Sequence, residues 1–212
     1  MLIEIIKKPR RGKPIRIIQK AHSPLRNWGT FLNAYFGHRQ DTVVDTSGNS
    51  QTVYGYSPSH CNSSYLRCGI DLSAKAPEGN SSYGIVVGGG DTPVSFDDYK
   101  LASQFTHGTG ENQIYHYGTI VSLSVGGSVT IDGVNYKTMV LTVERAFQNE
   151  YSASQTIKEI GLILHYYTCY ASANKCVSYN FLAFRDVLDQ YITLASGEGV
   201  TLRYHFRWLH PA

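Results

Sequence analysis

From residue 84 to the C-terminus, short runs rich in β-branched and aromatic residues alternate with turns that contain glycine. This spacing constrains the fold more than any other feature of the chain. The longest runs cover residues 120–125, 128–131, 136–143, 156–164, 177–185 and 201–208. Asp132-Gly133 separates two of them and predicts a tight hairpin, because both residues tolerate positive φ. Short strands at this spacing are typical of antiparallel proteins. We therefore expect a mainly β fold, either a jelly-roll-like antiparallel β-sandwich or a barrel.

The composition agrees with strands and with a surface that partners cover. Only 17% of the 212 residues are charged, whereas 20 are Gly and 16 are Tyr. Aromatic and β-branched side chains fit a pleated surface, and protein interfaces are poor in charge and rich in tyrosine. The chain has no apolar run of about 18 residues. Its apolar N-terminal residues precede the basic ones, which is the reverse of a secretory signal. We expect synthesis in a host cytoplasm and no contact with a membrane.

The basic residues are concentrated at the N-terminus. Residues 1–20 carry seven Lys or Arg and one acidic residue, a balance of +6, while the remaining residues carry 12 basic and 15 acidic side chains, a balance of −3. Two prolines and a glycine exclude a continuous helix there, so the sequence predicts an extended basic arm over residues 1–21. The basic residues assigned to this arm are Lys7, Lys8, Arg10, Arg11, Lys13 and Arg16.

Two interpretations of the arm remain open. Lys and Arg side chains release counterions from phosphates, so the arm could touch nucleic acid without sequence specificity. Alternatively, its Ile-rich ends could add to the sheet edge of a neighbouring subunit and act as an assembly arm. We favour the assembly arm.

Residues 22–37 carry a helical pattern. Ser23 is a good N-cap, Pro24 fits the first helical position and Gly37 provides a stop. The apolar face expected from helical spacing contains Leu25, Trp28, Phe31, Leu32 and Tyr35. This face either packs on the sheet of its own body, which we favour, or docks on a neighbouring subunit.

Residues 38–212 are expected to form the β-sandwich body. A small hairpin is predicted around Ser47-Gly48-Asn49, with Val43 and Val53 in its strands. The surrounding segment 45–80 is polar and rich in turn residues, and we expect a long loop there.

The chain lacks the residue patterns of the common catalytic and cofactor sites. The run Gly88-Gly89-Gly90 follows a strand, but no P-loop lysine follows it and Pro93 interrupts the dinucleotide fingerprint. The eight histidines show no metal-ligand spacing, and no nucleophile elbow occurs. We therefore expect a protein that is not an enzyme, with no catalytic residue, no bound metal and no cofactor.

The four cysteines form two pairs of equal spacing, Cys61 with Cys68 and Cys169 with Cys176. Six intervening residues are more than zinc sites normally use. Disulfides, free thiols and a zinc site remain open in that order of preference. Three pairings can be drawn, and a staple between Cys169 and Cys176 fits a hairpin.

Charged residues also fall inside the predicted strands. Glu144, Glu159 and Asp186 are expected to pair with Arg145, Arg185 or Arg203 rather than to act as catalytic acids. In particular, we expect Glu159 and Arg185 to pair across strands and to hold the register of the sheet. If that pair is buried, Glu159→Ala should cost on the order of 1–3 kcal/mol.

Several segments, taken in order, resemble a pattern that recurs in virion-associated structural proteins of tailed bacteriophages and related prokaryotic viruses. They cover 83–101, beginning Tyr83-Gly-Ile-Val-Val-Gly-Gly-Gly, then His107-Gly-Thr-Gly, Tyr117-Gly, Arg145-Ala-Phe-Gln-Asn, Thr156-Ile-Lys-Glu-Ile-Gly-Leu, Phe184-Arg-Asp-Val-Leu, Ile192-Thr-Leu-Ala-Ser-Gly-Glu and Thr201-Leu-Arg-Tyr-His-Phe. The resemblance spans about residues 83–208. It implies a β-rich structural role and provides no catalytic residue.

The sequence thus predicts a non-enzymatic structural subunit of a virus particle, such as a capsid, decoration, tail or neck component. Its expected location is the virion, and its expected partners are copies of itself and other virion proteins. The alternative is a carbohydrate-binding module of a phage fibre or baseplate, in which tyrosines and Trp208 stack on sugars. An exposed cluster of two or three aromatic rings would favour the alternative, and rings buried against another chain would favour assembly.

Overall fold

The computed structural model describes residues 1–21, 24–55, 71–170 and 175–211, with the backbone alone for residues 169, 170 and 175. The described residues form thirteen strands and one helix. The strands are β1 (Leu2–Lys8), β2 (Ile15–Lys20), β3 (Gln40–Val44), β4 (Ser50–Tyr54), β5 (Asp71–Ser73), β6 (Gly84–Gly88), β7 (Thr106–His107), β8 (Gln113–His116), β9 (Ile120–Ile131), β10 (Val134–Gln148), β11 (Gln155–Tyr170), β12 (Lys175–Leu194) and β13 (Gly199–Pro211). The helix is α1 (Arg26–Gly37).

The strands build two curled sheets that pack together, so the predicted mainly β fold of sandwich or barrel type is confirmed. The first sheet has the order β2-β1-β13-β10-β8-β7, and β9 also pairs with β10. The second has the order β12-β11-β5, and β6 also pairs with β11. Strands β3 and β4 form a separate hairpin.

The main core lies between the two sheets. Ile3, Phe147 and Leu202 of the first sheet meet Leu162 and Phe181 of the second. The far side of the second sheet carries a smaller cluster that includes Val86, Leu101 and Ile163. Burial on both faces explains why β11 and β12 contain continuous apolar runs rather than a strict alternation.

Residues 1–21 are not an extended arm, and this prediction is wrong. Strand β1 pairs with β13 of the same chain over its whole length, and β2 folds back on β1. Ile3 and Ile5 are fully buried in the core. The isoleucines that suggested strand addition to a neighbour therefore add to the chain's own sheet. We call β1, β2 and their connection the N-terminal hairpin.

The helix begins later than predicted. Leu25 is the N-cap residue, without a side-chain capping hydrogen bond, and Pro24 makes a β-bridge with Phe184 of β12 instead of starting the helix. Backbone bonding to β12 thus overrides the local preference of Pro24, and Ser23 lies outside the described residues. At the other end, the left-handed position is held by His38, at φ 52°, and Gly37 is the last helical residue.

Both predicted hairpins are present in the structure, whereas the predicted long loop is interrupted by strands. Strands β3 and β4 pair around residues 45–49, and Asp132 and Gly133 adopt φ of 50° and 78° in the β9–β10 turn. Segment 45–80 is not one loop, because β4 and β5 lie within it. Residues 56–70 lie outside the described part of the chain.

Candidate interaction surface

Strands β9, β10 and β13 share an apolar face. Directly opposed residues of antiparallel strands point to the same side of a sheet, so the register places nine apolar side chains together. We call this set the apolar face; it contains Val121, Leu123 and Val125 of β9, Met139, Leu141 and Val143 of β10, and Tyr204, Phe206 and Trp208 of β13.

The apolar face is buried in the core at one end and becomes exposed to solvent towards the other. At its inner end Tyr204 is 0% and Val143 is 3% exposed, whereas Leu123, Val125 and Trp208 are 59%, 69% and 49% exposed. The outer part of the face therefore presents large apolar side chains to solvent.

The inner end of the face is anchored to the second sheet. The Tyr204 hydroxyl donates a hydrogen bond of 3.2 Å to Asp186 Oδ2 on β12. Burial raises the pKa of Tyr204, and the neighbouring Asp186 raises it further. Because the phenol stays protonated, this bond ties the two sheets together at the point where they begin to separate.

An open groove of about 430 Å³ lies between the separating sheets. Its apolar lining includes Trp28, Leu72, Leu162, Phe184, Phe206 and Trp208. The ring of Trp28 lies 5.6 Å from that of Phe184, so α1 forms one wall of the groove. Such a lining can bury an apolar segment or the apolar side of another chain.

The opposite face of this sheet is polar where β1, β10 and β13 pair. Glu4 Oε2 accepts from Arg203 Nη1 at 3.0 Å and lies 3.1 Å from His205 Nε2, and Glu4 Oε1 pairs with Arg16. Burial raises the pKa of Glu4, but these hydrogen bonds outweigh it and lower the pKa to about 2. Arg203 also pairs with Glu144. The sheet is thus amphipathic, and its polar side holds β1, β10 and β13 together.

A β-bulge divides β9. The register between β9 and β10 shifts at Thr138 and Met139, opposite Gly126, whose φ is +90°. Beyond this bulge Gly127 opposes Thr138, and a Cβ there would lie 2.6 Å from Thr138 Oγ1. The bulge therefore turns the outer residues of β9 to the other side of the sheet.

The Glu159–Arg185 pair expected from the sequence is present and buried. Glu159 Oε2 accepts from Arg185 Nε at 2.9 Å, and the two side chains are 0% and 2% exposed. Arg185 also donates to Asp98 Oδ2 at 2.7 Å and to the carbonyl of Thr92 at 2.9 Å. The pair therefore joins β11 and β12 to the 90–103 loop, in addition to any role in register.

The glycine run 88–90 surrounds this carboxylate. Gly90 and Ser103 donate their backbone N–H groups to Glu159 Oε1 at 3.2 and 2.7 Å. A Cβ on Gly90 would lie 2.5 Å from Glu159 Oε1, and one on Gly88 would lie 2.3 Å from the carbonyl oxygen of Ser103. The run thus accommodates the chain's own carboxylate.

Arg145 was expected to pair with a carboxylate, and this expectation is wrong. Its side chain is fully buried, and its hydrogen bonds in the structure run to backbone carbonyls. Nε donates to Tyr117 at 2.7 Å and Nη1 to Tyr83 and Ile85 at 3.0 Å. Nη2 donates to Pro77 and Asn80. Burial lowers the pKa of Arg145 to about 10, so the guanidinium stays charged at neutral pH and fastens these loops to β10.

Sequence reasoning also missed Asn149. Its Nδ2 donates to the carbonyls of Ala153 and Leu194 at 2.8 and 2.9 Å, and its Oδ1 accepts from Gln155 Nε2 at 2.9 Å. The inward position of Arg145, in contrast, has a signal in the sequence. Arg145 occupies alternate positions of the strand with Val143 and Phe147, as residues buried on one face do.

The residues assigned to a basic arm lie on the N-terminal hairpin. Lys7 binds Glu198 at 3.1 Å and Arg16 binds Glu4, so both are used within the chain. Lys8, Arg10, Arg11 and Lys13 are exposed around its turn. We call these four residues the basic tip.

The predicted docking face of the helix packs mainly on its own body. Leu25 and Phe31 are 1% and 3% exposed, and the Phe31 ring lies 5.8 Å from that of Phe181 on β12. Trp28 and Leu32 are partly buried against the same core, whereas Tyr35 is 50% exposed.

Cys176 is disulfide-bonded, and the residue directly opposite it on the neighbouring strand is Cys169. This arrangement fits the predicted hairpin staple. Cys61 and Cys68 lie outside the described residues, as does the side chain of Cys169.

Within the described ranges, no cluster of His, Cys, Asp and Glu has the arrangement of a metal site. No helix in the same ranges is long and apolar enough to cross a membrane. Comparisons with protein-family models, with curated protein sequences and with solved structures find no match to this chain.

Proposed function

We propose that this protein is a non-enzymatic structural subunit of a virus particle, a capsid, decoration, tail or neck component that assembles with copies of itself and with other virion proteins. The observation that carries the proposal is the exposed outer half of the apolar face, continuous with the apolar groove. A contiguous apolar surface of this kind is typical of a surface that another chain covers.

The buried ionisable groups support a structural role. Glu159, Arg185 and Arg145 direct their hydrogen bonds to loops and strands of the same chain. None of these three side chains lines the apolar groove, and their hydrogen bonds fasten loops to the body. The order of the segments between residues 83 and 208, which resembles virion-associated proteins, points in the same direction.

The N-terminal segment has a different part in this proposal from the one expected. Because β1 and β2 are used within the chain's own sheet, the apolar face and the sheet edge, rather than an arm, provide the assembly surface. The basic tip is proposed to make non-specific contact with nucleic acid, since Lys and Arg side chains bind phosphates.

Association with particles tests the proposal. Virus particles from a source that encodes this chain are purified on a density gradient, and the chain is quantified against the major virion protein by mass spectrometry. We expect a constant ratio across the particle peak, while an abundant host cytoplasmic protein stays at the top of the gradient. Recovery of the chain only among soluble proteins would contradict the proposal.

One observation favours the carbohydrate-binding alternative. Tyr35 and Phe36 form an exposed aromatic pair, 50% and 79% accessible, with ring centroids 5.8 Å apart. Sugars stack on such rings. A glycan-array screen of the purified protein, beside Tyr35→Ala, separates the two functions: specific binding that Tyr35→Ala abolishes supports the sugar-binding module, and no binding supports the structural subunit.

A further inference from the structure

We infer that β9 is an interface strand, which pairs antiparallel with β9 of a second copy of this chain across a two-fold axis at Leu123. The inference rests on the proposed function and names the partner of the surface described above. It would make the first sheets of two copies continuous.

The edges of the sheets differ in how they are protected. Strand β2, at one edge of the first sheet, carries Arg16 and Lys20 and follows Pro14, which are features that discourage pairing with other chains. The outer edge of β12 receives backbone hydrogen bonds from Leu25 and Thr46.

Strand β9 has neither kind of protection. Its twelve residues contain no charge and no proline, and eleven of them are exposed. Within the described part of the chain it pairs with β10 alone. A long, uncharged and exposed edge strand is a template for another strand.

The sequence of β9 favours a second copy as that strand. Residues 121–125 read Val-Ser-Leu-Ser-Val, a palindrome. In an antiparallel pair centred on Leu123, Val121 opposes Val125 of the second copy, and Ser122 opposes Ser124. Opposed residues lie on the same side of the sheet, so valine meets valine on the apolar face and serine meets serine on the polar face.

Charge and bulge position agree with this register. A charged residue in the palindrome would lie opposite or beside the same residue of the second copy, near the axis. Like charges on opposed strands destabilise their pairing. Residues 121–125 contain no charged residue. Centring on Leu123 places Ile120 opposite Gly126, where the bulge ends the regular part of β9. The pairing therefore uses the whole segment before the bulge.

The pairing also covers part of the apolar side chains of β9. Val121, Leu123 and Val125 are 41%, 59% and 69% exposed, and in the proposed pair each lies opposite an apolar residue of the second copy. Met139 and Trp208, on β10 and β13, stay on the open side of the joined sheet, so the two copies present one continuous apolar face.

A self-cross-link tests the register. In the proposed pair Leu123 opposes itself, so Leu123→Cys should form a covalent dimer under mild oxidation, because opposed Cα atoms lie within disulfide range. Val129→Cys, beyond the bulge on the same strand, has no opposed cysteine and is the matched control. Peptide mapping by mass spectrometry identifies the cross-link against the native cysteines. Equal cross-linking of both variants, or a dimer of Leu123→Cys that stays unlinked, would overturn the inference.

A charge at the axis tests the association itself. Light scattering should give a dimer mass, or a multiple of it, for the wild-type chain at tens of micromolar. Leu123→Lys places the two substituted lysines opposite each other at the axis, so it should weaken dimerisation at least tenfold. Ile131→Lys, 41% exposed but outside the palindrome, should leave it unchanged, and circular dichroism shows that both variants fold. A monomeric wild-type chain, or dissociation by Ile131→Lys alone, contradicts the pairing.

The two proposals fail separately. A monomeric chain that still travels with particles removes the strand pairing and leaves the structural subunit in place. A dimer that is cross-linked at position 123 but never associates with particles supports the strand pairing and contradicts the structural subunit.

Discussion

Glu159 accepts more hydrogen bonds than a register pair requires. Three backbone amides, those of Gly90, Ala102 and Ser103, and the Arg185 side chain all donate to it. Removing the carboxylate would leave the three backbone donors and Arg185 Nε without their acceptor, and Asp98 would be the remaining carboxylate beside the buried guanidinium. Truncating one partner of a buried ion pair costs more than the pair contributes, since the remaining charge stays buried.

We therefore predict that Glu159→Ala lowers the free energy of unfolding by about 3–5 kcal/mol, more than the 1–3 kcal/mol expected from a simple pair. Urea denaturation followed by fluorescence measures the change. Glu144→Ala is the control, because Glu144 pairs with the partly exposed Arg203, and such pairs contribute about 1 kcal/mol or less. Similar losses in both variants would contradict the anchoring role of Glu159.

The sequence indicates some of these residues and not others. Glu159 and Arg185 are two opposite charges in neighbouring apolar runs, which have few ways to be buried except as a pair. Arg145 bonds to carbonyls of 77–85 and Tyr117, and these backbone groups leave no mark in the sequence. Its inward position could be predicted from alternation, but its partners could not.

The strands and the helix also include features that the sequence predicts and features that it does not. The Asp132-Gly133 turn and the β3–β4 hairpin depend on local backbone preferences, so they were predictable. The start of α1 was not, because Leu25 donates its N–H to Ala183 of β12, and Pro24 follows that long-range pairing. The position of the N-terminal segment depends on a similar long-range contact, since β1 pairs with β13, almost two hundred residues later. A strand of this kind has the same local sequence pattern as an arm that pairs with another chain.

The N-terminal hairpin yields a prediction at the scale of an element. Deleting residues 1–21 removes Ile3 and Ile5 from the core, each worth roughly 1.5–3 kcal/mol of burial, and exposes the edge of β13. The loss is comparable with the whole stability of many domains. We expect the truncated chain to be insoluble or to melt without a cooperative transition, as followed by circular dichroism.

A variant of the basic tip provides the matched control. Serine at Arg10, Arg11 and Lys13 leaves the paired residues of β1 and β2 unchanged. This variant should melt cooperatively near the wild-type temperature and should lose affinity for DNA at low salt. A well-folded, cooperative truncated chain would restore the idea of a detachable arm.

At the scale of the whole molecule, the polar contacts divide the protein into a fixed body and an open end. Arg145, Glu159 and Asn149 fasten the loops of the body, while Tyr204 and Asp186 join the sheets where the groove begins. Beyond that point β9, β10 and β13 continue with an exposed apolar side. A well-packed body with one partly uncovered sheet agrees with the proposed subunit, in which a neighbouring chain would complete the packing.

The stability of this body should depend on pH through His116. The ring is fully buried against Phe147, with centroids 5.1 Å apart, and its Nε2 has no hydrogen-bond partner among the residues that the structure describes. Burial is the main reason that the pKa of His116 is lowered from 6.5 to about 4; the hydrogen bond with the carbonyl of Ile114 opposes this shift, and the neighbouring Arg145 and His107 add to it. Below pH 6.5 the unfolded chain binds a proton that the folded chain does not. The stabilisation is therefore complete above pH 6.5 and is lost as the pH falls towards 4.

We predict that the wild-type free energy of unfolding decreases by about 2 kcal/mol from His116 between pH 7.5 and pH 5. His116→Phe should abolish this part of the decrease, and His210→Phe, at an exposed position, should retain it. Both variants remain sensitive below pH 4.5, because Glu4, with a pKa lowered to about 2, then loses the stabilisation that its carboxylate has above the ordinary value of 4.5. Urea denaturation at each pH measures the differences. If His116→Phe and the wild-type chain lose stability in parallel between pH 7.5 and pH 5, a group other than the buried imidazole controls the acid response.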